Sequence, residues 1–145
     1  MSRKNLKLIV SLQPAEDVDI VRLFRDGASV DALATTLAPI LHSDFEAVVV
    51  GTLRGETTYR GFDGLREFWL DWLAPWESYR TQLEEAHDLG DRVLLLVRDF
   101  GRRAGSAREV VLNGAVVWTI RDGEITRAEF YADRSAALTA AGLEQ

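Results

Sequence analysis

The 145-residue chain contains no cysteine, one methionine, two histidines and three prolines. Without cysteine it has no disulfide, no thiolate metal site and no cysteine nucleophile, a composition that fits the reducing cytoplasm. Positive charge is also scarce. Seventeen Lys and Arg against 23 Asp and Glu leave a formal charge of −6, which disfavours phosphate backbones and anionic membranes and argues against nucleic acid as a partner. No apolar run has the length of a membrane span. The apolar onset after Arg3 and Lys4 ends by Gln13 with no small-residue cleavage site behind it, so it reads as a short amphipathic helix capped by Ser2, not as a signal peptide.

What is present suits one packed domain over residues 1–145: 47% hydrophobic and 28% charged residues, with no repeat, linker or low-complexity tract. Three of the four tryptophans fall between Phe62 and Trp76. At helical spacing Leu65, Phe68, Trp69, Trp72, Leu73 and Trp76 share a face roughly 140° wide. This predicts a helix capped by Asp63 and ended near Ala74 by Pro75. Its aromatic face either fills a core or walls an apolar pocket.

Before it, helices are expected over residues 3–12 and 18–24, and from a cap at Ser29 or Asp31 through Leu41, with Pro39 loosening the last turn. A strand runs from Phe45 to Thr52, and Thr57–Tyr59 form another short one. The second half is β-rich. Strands are expected at 79–87, 92–102, 109–121, with a bulge at Asn113-Gly114, and 124–132, the last two joined by a hairpin at Asp122-Gly123. A terminal helix over 135–141 stops at Gly142. Val93–Val97 and Ala115–Trp118 are apolar without alternation, so both faces of these strands should be covered. Too little chain remains to cover the second face, and a second copy is the economical cover. A homodimer packed through the sheet is expected, with a sheet curled under its own ends as the alternative.

The order helix, helix, strand, aromatic helix, long antiparallel strands resembles the nuclear transport factor two-like superfamily, and within it the SnoaL-like group. The resemblance spans nearly the whole chain. It is carried by Asp31–Leu33, Leu41–Glu46, Tyr59–Phe68, Gly90–Val93, Val117–Ile125 and Phe130–Leu138. It implies a cone-like α+β fold in which a curved, mixed or antiparallel sheet wraps a long helix and leaves an apolar pocket. Dimers are usual in the group. The scaffold serves polyketide cyclases, ketosteroid isomerases, epoxide hydrolases, dehydratases and non-catalytic binding modules, so fold does not settle function.

Asp133 ends the last strand two residues after Tyr131. In SnoaL-like cyclases an acidic residue near this place acts as acid or base, and a carboxylate beside an apolar pocket has the raised pKa such work needs. Asp133 is equally placed to cap the terminal helix. His42, at the junction before the first strand, is a candidate partner for that proton or an ordinary loop residue. Epoxide hydrolases of the superfamily use Asp-Arg-Asp with the arginine and one aspartate on one strand face. Here Arg98 and Asp99 are neighbours and point to opposite faces, so that triad does not carry over intact. Arg98 with Asp133 would be a partial version, and an edge ion pair is its ordinary role. The ketosteroid isomerase base has no counterpart in the apolar Ala47–Val50, and Glu46 is shifted from that place. Trp69, Trp72, Trp76, Trp118, Tyr59 and Phe45 are the candidate pocket lining. Two histidines 45 positions apart without a third ligand give no metal motif. Phosphate-loop, dinucleotide and nucleophile-elbow motifs are missing too. The expectation is a cofactor-free pocket protein for a small apolar molecule. Acid–base chemistry of isomerase, cyclase or hydrolase type would fall to Asp133, with Tyr131, His42 or Arg98 polarising an oxygen. The alternative is a binding or scaffold protein with the same pocket.

Overall fold

A computed structural model describes residues 3–52 and 55–143. The elements are α1 (Arg3–Ser11), α2 (Ile20–Arg25), α3 (Gly27–Leu37), β1 (Leu41–Thr52), β2 (Gly55–Arg60), α4 (Gly61–Leu73), β3 (Trp76–Asp88), β4 (Arg92–Arg103), β5 (Glu109–Arg121), β6 (Glu124–Tyr131) and α5 (Arg134–Ala140). The fold is mixed α+β. Six strands form one curved, open sheet in the order β2-β1-β6-β5-β4-β3, with β1 and β6 parallel and every other pair antiparallel. Helices α1 to α4 sit against the inner face, and α5 against the outer.

Local chemistry sets the boundaries, and at several points differs from expectation. The aromatic helix stops at Leu73, and Trp76 opens β3. Pro75, with no N–H to give and a fixed φ, separates the two. Asp63 lies in the first turn of α4 and does not cap it. Arg60 occupies that position and makes no side-chain cap. Helix α3 is capped by Asp26, whose carboxylate accepts from the Ser29 backbone N–H and hydroxyl, and it ends at Leu37, four residues short of the expected Leu41, which instead opens β1. Ser2, expected to cap α1, lies outside the described residues. Strand β5 is regular at Asn113-Gly114, and the irregularity falls at Thr119/Ile120, where the Ile120 N–H turns away to the Asp91 carbonyl. The hairpin at Asp122-Gly123 forms as expected, with both residues at positive φ (52° and 80°), the conformation a tight two-residue turn requires.

Three apolar clusters result. The first joins α1 and α4 to the inner face through Ile9, Leu65, Phe68, Leu95 and Ala128. The second ties α2, α3 and the end of α4 to the start of β3 through Phe24, Leu73, Trp76 and Tyr79. Trp76 lies flat over β4 at Gly101, where a Cβ would stand 2.6 Å from its ring, so only glycine fits. The third corrects the account of the second sheet face. Leu94, Leu96, Ala115 and Val117 do need cover there, and α5 with the residue after it supplies that cover through Ala137, Leu138 and Ala141. Leu94 and Val117 are fully buried within one chain, so the unalternating runs do not themselves require a second copy.

Candidate functional site

Between α2, α4 and the inner face of the sheet lies a cavity of about 280 Å³. Its wall is mainly apolar, with aliphatic side chains and a cluster of aromatic rings. Phe24 stacks on Trp69 (centroids 5.5 Å apart, 17° between planes), Phe68 stacks on Phe130 (4.4 Å), and Trp69 and Trp118 meet Phe130 edge-on. Trp72 stands towards the exterior, 37% exposed, and packs edge-on against Tyr79. Such a wall excludes water and favours a flat apolar guest.

Among the described residues, one carboxylate lines this cavity. Asp99 is carried by β4 on the same side as Val93, Leu95 and Val97, and lines the cavity with Tyr79 and Thr81 from β3. The Tyr79 hydroxyl donates to Asp99 Oδ2 at 2.6 Å, and Thr81 Oγ1 donates to Oδ1 at 2.6 Å. Two-residue alternation along β3 puts both hydroxyls on one face, and the register sets Thr81 directly opposite Asp99. Tyr79 is fixed from behind: its backbone N–H donates to Asp19 Oδ1, which also caps α2. Both hydroxyl bonds favour the ionised form of the carboxylate. Desolvation nevertheless pushes the Asp99 pKa above the ordinary carboxylate value, with the two hydroxyl bonds and the distant Arg134 charge pulling the other way. The Tyr79 hydroxyl is driven upward by burial first and by the Asp99 charge second, so it stays protonated and remains a donor. The result is a desolvated base with both oxygens positioned, open to an apolar chamber.

The anticipated residues are not gathered here as a group. Asp133 is exposed, and its Oδ1 accepts from the Ser135 N–H as the cap of α5. His42 belongs to a separate polar recess with Asp44, Glu46, Arg121 and Arg127, where its Nδ1 accepts from the Asp44 N–H. Arg98 is on the outer face, 3.2 Å from Glu84. Tyr131 borders the cavity, but it packs into the outer-face cluster and its hydroxyl donates to Glu129. Of the aromatic candidates, Trp69, Trp72 and Trp118 line the cavity. Phe45 and Trp76 are buried in the two inner clusters, and Tyr59 packs on Phe68 with its hydroxyl on Asp71. The opposed directions of Arg98 and Asp99 are as anticipated, yet Asp99 was not singled out with Tyr79 and Thr81. The signal was a lone carboxylate on the apolar face Val93-Leu95-Val97, with two hydroxyls in alternation on the neighbouring strand. Among the described residues, no three His, Asp or Glu side chains are gathered as metal ligands, and no helix is long and apolar enough to cross a membrane.

The family model described as a SnoaL-like domain matches residues 20–128, from the start of α2 into β6. The chain belongs to the SnoaL-like domain family. Comparison with curated proteins yields no match. Among solved structures, this SnoaL-like chain is similar to a candidate SnoaL-like polyketide cyclase from Jannaschia sp. CCS1, at 17% identity and TM-score 0.60, covering 92% of this chain and 99% of that one. It is similar to TerC, co-crystallised with polyporic acid, at 24% identity and TM-score 0.59, covering 83% and 90%. It is also similar to a nuclear transport factor two-like protein of unknown function from Burkholderia pseudomallei K96243, at 20% identity and TM-score 0.60, covering 82% and 92%. At these identities the structures show a shared fold.

Proposed function

We propose that this SnoaL-like protein takes a small, flat, largely apolar carbonyl compound into the aromatic cavity and moves a proton on it with Asp99. The observation that carries this reading is the desolvated Asp99 carboxylate of the chamber, held through both oxygens by Tyr79 and Thr81. An ionised Asp99 removes a proton from carbon next to the carbonyl, leaving an enolate and a neutral acid. Return of that proton to a second carbon completes an isomerisation; attack of the enolate on a second carbonyl of the same molecule, with the proton passing from Asp99 to the alkoxide so formed, completes a cyclisation. Neither route consumes an oxidant or a cofactor. Desolvation raises the Asp99 pKa, the direction that favours a group that must both take and give one proton. Asp133, Tyr131, His42 and Arg98 have no step in this reading.

The test is exchange of the α-protons of 2-tetralone in deuterated buffer, followed by proton NMR. The wild type should accelerate exchange over buffer, and Asp99→Asn should lower that acceleration by at least about 100-fold. Equal rates in the two proteins reject Asp99 as the base. A second reading, binding without turnover, is favoured by one feature: both Asp99 oxygens already take protein donors. It predicts equal quenching of tryptophan fluorescence by 2-tetralone in both proteins, with no exchange above buffer. A homodimer through the outer face of the sheet is proposed as the assembled form.

A further inference from the structure

Asp99 is only partly buried, so it keeps open surface on the cavity it lines. What it can offer there follows from its partners. A tyrosine or threonine hydroxyl has one proton to give, and Tyr79 and Thr81 both give theirs to Asp99. Both of those residues are buried. An ionised carboxylate has about four lone-pair sites, so one accepted bond per oxygen leaves acceptor capacity over. The cluster therefore presents acceptors to the chamber, and a ligand that meets it must bring the proton.

The rest of the lining says which charge that ligand can carry. Among the described residues, no Lys, Arg or His lines the cavity. Gln13 and Asn113 add neutral amides, and the Tyr131 hydroxyl donates to Glu129. Arg98 and Arg134 are held on the outer face by Glu84. An anion would enter a chamber that has a carboxylate and no cation to meet it. A cation meets a carboxylate already desolvated by the fold, and aromatic rings whose faces attract positive charge. Trp72 lines the cavity, keeps exposed surface and packs on Tyr79 with centroids 6.5 Å apart, so one such ring stands beside the cluster.

We propose that the chamber binds a protonated amine on a small apolar frame, with an ammonium N–H donating to Asp99. This goes beyond the carbonyl reading above and rests only on its chamber and its ionised Asp99. The ammonium sheds water on entry, which offsets part of the charge-assisted bond it gains. The amine and a carbonyl substrate compete for the same place.

Three probes on one frame test it by titration calorimetry near neutral pH: 2-(aminomethyl)naphthalene, its neutral isostere 2-ethylnaphthalene, and 2-naphthoate. The wild type should bind the amine about 10-fold more tightly than the hydrocarbon, the lower end for a hydrogen bond to a charged group, and the carboxylate most weakly. Asp99→Asn keeps the shape and removes the charge. It should lose the preference for the amine, while its affinity for 2-ethylnaphthalene reports that the pocket is intact. Binding of the amine no tighter than of the hydrocarbon in the wild type, a comparison that needs no variant, overturns the proposal and leaves the apolar pocket standing. A preference that survives Asp99→Asn also overturns it, since the attraction then comes from the negative charge of the whole chain. Failure of all three probes to bind overturns the pocket and the proposal together. Amine binding that depends on Asp99, without exchange of 2-tetralone protons, supports this proposal and rejects the proton-transfer reading.

Discussion

At the scale of single residues, the chamber turns on Asp99, and its ionisation has a measurable sign. Its folded-state pKa is above the ordinary value of 3.8, chiefly through desolvation. As pH rises from the ordinary value through the raised one, the unfolded chain has already lost its proton while the folded chain still holds it. The Asp99 contribution to stability therefore falls with rising pH across that window and is level above it. Asp26 and Glu84, whose pKa values are lowered by Ser29 and by Arg134 respectively, act with the opposite sign below the ordinary carboxylate range. They are common to both proteins in a comparison of wild type with Asp99→Asn and cancel from the difference. Urea midpoints measured in steps from about pH 4 to pH 8 should show the variant gaining on the wild type as pH rises, by about 1.4 kcal/mol for each unit by which the Asp99 pKa is raised. A pH-independent difference would mean that Asp99 titrates as an exposed carboxylate does. This residue was partly legible in the sequence. Alternation alone sets Asp99 apart from Arg98, but its partners come from another strand, and cross-strand register is not written in either segment.

At the scale of elements, the chain states its starts and stops clearly where side chains act on their own backbone. Asp122-Gly123 and Gly142 terminate their elements as the sequence implies. In the latter the Gly142 and Leu143 N–H groups return to Thr139 and Leu138, and the two leucines join the outer-face cluster. Element ends decided by neighbours were less legible. Trp76 has the right spacing for the helix face, yet a site over Gly101 and the break at Pro75 recruit it to β3. Asp133 has two sequence roles, and geometry selects the cap of α5. Asp133→Ala should therefore lower stability by about 1 kcal/mol in chemical denaturation, the usual cost of a lost N-cap, while probe affinity in the cavity stays at the wild-type level. A variant of normal stability that no longer binds would restore Asp133 to the site.

At the scale of the whole molecule, α5 changes what an assembly would be built from. The apolar centre of the outer face is already buried by the chain's own terminal helix. Around it the face carries charge. Glu84 is paired with Arg98 and Arg134, and Glu46 links Arg60 to Arg127, which also holds Glu129. The sequence signalled that the face was covered. It could not reveal the cover, because Ala137, Leu138 and Ala141 are too few and too small to stand out as an apolar stripe. A homodimer through this face would meet through ion pairs around a small apolar centre, not through bare strands. Pairs of that kind weaken with added salt as the screening length shrinks from about 10 Å at 0.1 M towards 3 Å at 1 M. Sedimentation velocity at micromolar concentration should show twice the 16.2 kDa chain mass at low salt, and a shift towards the single chain as sodium chloride is raised to 1 M. Charge reversal at Arg98, which is exposed and pairs with Glu84 on the outer face, should produce the same shift at low salt without altering the cavity. A single-chain mass under every condition rejects the dimer. A dimer indifferent to salt and to Arg98 places its interface on some other surface.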